Sequence, residues 1–251
     1  TMSLKTLLWC GFFAFACVAA LWSPIWGVLG YVVEYGINPK GQWWNAPLSP
    51  LRLRYSFMLA ACTAVGIGLN WERLRFGTSL LHRNEKWMLW FLGIIWLLAI
   101  ISSATVRRYA LPGVDHPSVK MTKMLLFVLM MTHVATDAKK LNLVLWAMVT
   151  GALLLGVKAY SIPMSAYSEG RLETVGGADF HDANYFSAFM AGLLFIVGAQ
   201  FMRSGWLGKV VCFLAGGFTA NAIVLTRSRG AFLGVLFGCL VLATLAPKRY
   251  R

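Results

Sequence analysis

Residues 183–246 read ANYFSAFMAGLLFIVGAQFMRSGWLGKVVCFLAGGFTANAIVLTRSRGAFLGVLFGCLVLATLA. Three apolar runs, 183–202, 206–226 and 229–246, are separated only by the short basic turns around Arg203-Ser204-Gly205 and Arg227-Ser228. Crossing a bilayer takes about 20 apolar residues as a helix, and each run approaches that length. Transmembrane barrels show alternating segments of about 10 residues, whereas these runs are continuous and rich in Leu, Ala and Gly. The stretch therefore predicts helices in lipid, folded back on one another.

The same pattern extends to the N-terminus. Apolar runs at 6–22, 24–37, 53–70, 87–104, 119–136 and 140–157 bring the prediction to eight or nine spans in an all-α, polytopic transmembrane helical bundle. The second run is short and begins at Ser23-Pro24, a turn-and-restart signal, so the first two predict a tight hairpin or one kinked element. Composition agrees: with 59% hydrophobic and 13% charged residues, too little polar surface exists to cover a soluble core of 251 residues. The run after Lys5 continues apolar through Leu21 and is followed at once by another, so it reads as a retained helix, not a signal peptide. Cys10, Cys17, Cys62, Cys212 and Cys239 all fall inside apolar runs without paired spacing, as packing residues do, and are not expected to form disulfides or ligate metal. Residues 1–251 are read as a single transmembrane domain, with N-terminal helices over 6–157, a loop over 158–182 and further helices over 183–246.

Orientation follows from the basic connections. A cytoplasmic C-terminal tail (Lys248, Arg249, Arg251) places Arg73, Arg75, Arg83, Lys86, Lys139, Lys140, Arg203 and Lys209 on the same side, against only Glu72, Glu85 and Asp137. Glu34, Asp115, Glu169, Glu173, Asp179 and Asp182 then face outward, and the loop 158–182 is extracytoplasmic. The expected location is a membrane crossed several times, with the C-terminus in the cytoplasm. Eight cations remain on the outer side: Arg52, Arg54, Arg107, Arg108, Lys120, Arg171, Arg227 and Arg229. Snorkelling to lipid headgroups accounts for such cations, and so does an anionic ligand.

Two polar helix entries carry the chemistry. At Thr226-Arg227-Ser228-Arg229-Gly230, two guanidiniums stand beside a helix start whose free N–H groups and dipole favour phosphate, with Ser228 as N-cap. A short basic turn at a membrane boundary has the same composition. Gly230, Gly234 and Gly238 then form a small-residue stripe that admits a neighbouring helix. At Gly176-Gly177-Ala178-Asp179-Phe180-His181-Asp182-Ala183-Asn184-Tyr185, Asp182 or Asn184 caps the next helix, and His181 between two aspartates suits acid–base work or a hydroxylated ligand. The cluster is too short to specify a metal site, and no Walker loop, zinc signature or serine elbow occurs. His82 and His116 read as solvated loop residues, Trp43-Trp44 as interfacial aromatics before a sugar platform, and the Met-rich stretch 121–131 as packing.

Taken together, His181-Asp182-Ala183-Asn184-Tyr185, the apolar hairpin after it, and Thr226-Arg227-Ser228-Arg229-Gly230-Ala231-Phe232-Leu233-Gly234 resemble, in this order, the O-antigen ligase and polymerase-like superfamily. Trp22-Ser23-Pro24 and the run ending at Asn38-Pro39 look like its branch of exosortase-associated O-glycosylation ligases. The resemblance is most specific over 165–246. It implies a GT-C-like glycosyltransferase of a bacterial cytoplasmic (inner) membrane that moves a glycan from an undecaprenyl pyrophosphate carrier to an acceptor outside that membrane, with no metal or other cofactor. Arg229 matches the Ser-Arg-Gly arginine and is expected to hold the pyrophosphate, assisted by Arg227 and Arg171, with His181, Asp182 and Asn184 in support. Family members continue past the equivalent of Arg251 into further helices and a loop carrying another arginine and a histidine that activates the acceptor. The resemblance thus covers their N-terminal part, which implies either a piece of a longer polypeptide or a reduced relative. His181 precedes the Ser-Arg-Gly helix and does not match that histidine, so no catalytic residue is assigned. Two other classes fit the composition: a small-molecule transporter, from Lys120, Lys123 and His133 within one apolar run, and a non-catalytic subunit packed by its glycine stripes into a larger membrane assembly.

Overall fold

The computed structural model describes residues 3–39, 42–51, 53–74, 83–105, 117–163, 165, 167–168, 170–173, 175 and 182–245. Ten α-helices account for most of them: α1 (Leu4–Trp22), α2 (Ile25–Ile37), α3 (Tyr55–Leu69), α4 (Trp71–Leu74), α5 (Arg83–Thr105), α6 (Pro117–Val134), α7 (Ala138–Ser161), α8 (Ala183–Arg203), α9 (Trp206–Thr226) and α10 (Arg229–Leu245). A 3₁₀ run, Trp43–Leu51, precedes α3. The strands β1 (Tyr167–Ser168) and β2 (Arg171–Leu172) form an antiparallel hairpin between α7 and α8. Each of the nine predicted apolar runs is a helix. Four of them, α1, α7, α8 and α9, are long and apolar enough to cross a membrane, and the others contain shorter apolar stretches. The molecule is an all-α membrane protein.

Local chemistry explains the breaks. Pro24 lacks an N–H and disfavours helical backbone at Ser23, so α1 ends and α2 restarts with Val28 N–H donating to the Pro24 carbonyl at 3.3 Å. The α2 helix ends at Asn38, whose left-handed φ of 47° closes the last turn before Pro39. Asp137 caps α7: its Oδ1 accepts the Lys140 backbone N–H at 2.8 Å, and its other oxygen lies 3.4 Å from the Lys140 ammonium. That backbone N–H, more than the ammonium, holds the Asp137 carboxyl below its ordinary range.

The helices form two compact units. One comprises residues 1–13, 29–56 and 142–251. Its core is drawn mainly from α7, α8 and α9 and includes Val149, Leu155, Phe186, Met190, Val197 and Ala222. Glycine permits the closest approaches: the missing Cβ of Gly156 would lie 2.7 Å from Phe218 Cβ, and that of Gly36 would lie 3.2 Å from Gly151 Cα. On α10 the predicted glycine stripe is used unevenly. Gly238 lies under the Phe195 ring, whereas Gly230 and Gly234 face open space. A second cluster in this unit joins the start of α1 to the 3₁₀ run through Trp9, Trp44, Leu48 and Tyr55.

The other unit comprises residues 14–28 and 57–141. There Gly66 of α3 rests on the Ala20 carbonyl of α1, and Gly27 of α2 meets Thr63. The Asn70 amide donates to the Leu21 carbonyl at 2.9 Å, and Trp96 of α5 donates to Thr122 of α6 at 2.8 Å. His133 Nδ1 stands 2.8 Å from the carbonyl of Leu129, one turn back on α6, and Lys123 is exposed. The side chain of Lys120 lies outside the described residues. Exposed faces are strongly apolar, with Trp87, Trp90 and Ile100 of α5 all more than half exposed, as lipid contact requires.

Candidate functional site

One end of the first unit gathers polar side chains from the β-hairpin, the start of α8 and the α9–α10 junction. Asp182 is the N-cap of α8 in extended backbone, and its Oδ1 accepts from the N–H groups of Asn184 at 2.7 Å and Tyr185 at 3.1 Å. Of the two residues predicted as caps, Asp182 fills the role. Asn184, one residue into the helix, is thereby free to point elsewhere.

Its Oδ1 is the junction of the site. It accepts from Ser228 Oγ at 3.1 Å and from Arg171 Nη2 at 3.4 Å, tying together residues far apart in sequence. Among the described residues its Nδ2 has no partner, which leaves a donor for a ligand. Ser228 is 3% exposed and acts as the predicted N-cap of α10, its Oγ accepting the Ala231 N–H at 3.4 Å. One hydroxyl therefore both caps α10 and ties it to α8.

Arg227 occupies an unusual backbone position. It ends α9 with φ 49° and ψ 30°, and its N–H donates to the Val224 carbonyl. This left-handed site ordinarily belongs to Gly, because a Cβ there costs about 1–2 kcal/mol. Its guanidinium lies against the hairpin turn: a Cβ on Gly170 would sit 2.9 Å from Arg227 Nη1, and Gly170 itself has φ +74°. The turn glycine thus makes room for the cation.

Charge is only partly compensated. Arg171 Nε lies 3.2 Å from Glu173 Oε1, close enough for ion pairing yet off the line of its N–H, so the buried Nε has no hydrogen bond. Arg227 and Arg229 are exposed, and among the described residues neither has a carboxylate partner. Arg229 is the first residue of α10, where backbone N–H groups and the helix dipole add to its positive field.

The structure therefore brings Arg171, Asn184 and Ser228 into direct contact, sets Arg227 against the same hairpin, and leaves Arg229 beside Ser228 with its side chain open. His181, Asp179 and Glu169 lie outside the described residues, as do the predicted outer cations Arg52, Arg107 and Arg108 and the loop histidines His82 and His116. The role of Gly170 did not emerge from sequence, although a lone Gly between short polar segments is the usual sign of a positive-φ turn. Chemically the site offers guanidiniums, an amide donor and a helix N-terminus, a set that binds phosphate or carboxylate oxygens. Comparison with protein families, with curated proteins and with solved structures finds no match to this chain.

Proposed function

We propose that this end of the protein binds the pyrophosphate of a polyprenyl-linked glycan and serves its transfer to an acceptor at the extracytoplasmic face of a bacterial inner membrane. The observation that carries the reading is the double use of Asn184 Oδ1, which holds Arg171 and Ser228 together beside two uncompensated arginines. Transfer from a diphosphate carrier builds negative charge on the leaving group, and prearranged guanidiniums and N–H dipoles stabilise that charge. Arg229 takes the central role, as the O-antigen ligase resemblance implies, because it alone of the three stands in the first turn of a helix. Arg227 and Arg171 extend the field, and Asp182 and Asn184 position the start of α8. In this reading the helices form eight or nine spans of a GT-C-like bundle, the C-terminus is cytoplasmic, and activation of the acceptor depends on residues other than those of this site.

The test is glycan transfer in cells producing Arg229→Ala. Loss of transfer with normal membrane insertion supports the role; normal transfer removes it. The open Gly230 and Gly234 positions on α10 favour a second reading, in which another helix of a larger assembly packs there. Purification of an intact complex with a second membrane chain supports that reading.

A further inference from the structure

The 3₁₀ run Trp43–Leu51 plays no part in the site above, yet it is firmly placed. Its inner face buries Trp44, Asn45 and Leu48. Thr6 of α1 donates to the Trp44 carbonyl at 2.6 Å, and the Tyr55 hydroxyl of α3 donates to Asn45 Oδ1 at 2.8 Å. Trp9 packs on Trp44 with ring centroids 6.1 Å apart. On its open side Trp43 is 71% exposed, and the exposed Ser49 turns its hydroxyl back onto the Ala46 carbonyl at 2.9 Å. Pro47 and Pro50 have no N–H, so this face carries fewer donors that would need water.

A cation accompanies the exposed indole. Lys5 Nζ stands 5.6 Å from the centre of the Trp43 ring and has no carboxylate partner among the described residues. Arg54, just past the run, is also exposed and without one. An exposed Trp beside cations that have no carboxylate partner among the described residues matches the boundary of a bilayer, where rings sit at the headgroup level and ammonium groups meet phosphate.

We infer that the Lys5–Trp43 face is a headgroup site selective for an anionic phospholipid, the phosphodiester lying on the Lys5 ammonium and the Trp43 indole at the level of the acyl ester groups. Charge decides the occupant. A second copy of this chain would bring a net charge of +14 to an already cationic face, and a zwitterionic lipid carries a compensating ammonium of its own.

The experiment uses the full chain in mixed micelles of phosphatidylglycerol and phosphatidylcholine, with retained lipids identified by native mass spectrometry. The protein keeps phosphatidylglycerol in preference, and Lys5→Gln lowers the ratio of the two lipids about fivefold, the effect of one lysine at a membrane surface. An unchanged ratio in a monodisperse Lys5→Gln protein overturns the proposal. A nitroxide on Trp43→Cys in nanodiscs of the same lipids gives an independent readout. Collision with oxygen exceeding collision with a water-soluble nickel chelate fits the site, and free access of the chelate contradicts it.

Discussion

Arg227 holds a backbone conformation that favours glycine, and no helix-packing need explains an arginine there. Arg227→Gly should therefore keep or raise thermal stability, by roughly 1 kcal/mol from relief of left-handed strain, while weakening pyrophosphate binding. A thermal melt and a binding titration on the same sample check both halves, and parallel loss of stability and binding would show the side chain to be structural. Asn184 makes a complementary prediction. Asn184→Leu removes the acceptor shared by Ser228 and Arg171, leaves the hydroxyl of the 3%-exposed Ser228 without its partner, and should destabilise the protein by about 1–3 kcal/mol. Sequence composition exposed these residues as polar intruders in an apolar chain. It did not reveal which atoms meet, because Arg171, Asn184 and Ser228 come together only through the packing of α8 against α9 and α10.

Helices were the legible elements. Each apolar run of 13 residues or more became one, since lipid leaves backbone groups no partner but their own helix. The caps were nearly as readable, with Asp182 and Ser228 in their expected roles. The β1–β2 hairpin was not, because strands of two residues carry no alternation to detect and the segment reads simply as a polar loop. Asp137 gives α7 a pH signature. Its native pKa is lowered, chiefly by the Lys140 N–H, so its contribution to α7 is fully present above the unfolded value near 4. That contribution is lost as pH falls through the lower native value. Asp137→Asn should abolish this part of the acid dependence of unfolding while leaving the behaviour at neutral pH little changed, since Asn also caps well.

At the scale of the whole molecule, the 24 residues of α7 separate Asp137 from the hairpin at Ser168. In a cysteine-free background, Ser168→Cys should react with a membrane-impermeant maleimide added to intact cells, whereas Asp137→Cys and Ser204→Cys should react only after lysis. Labelling of all three from one side would contradict the assignment of α7 and α8 as spans. In the proposed function, the binding of a lipid-linked pyrophosphate falls to the cations of the β1–β2 hairpin and the α9–α10 junction. Its most direct test is titration of the protein in nanodiscs with a polyprenyl pyrophosphate and with the matching monophosphate. The pyrophosphate should bind the more tightly, with a roughly 10- to 100-fold loss in Arg229→Ala, the scale of a charged hydrogen bond. Equal binding of both lipids, or an Arg229→Ala protein that binds as well as its parent, would contradict it.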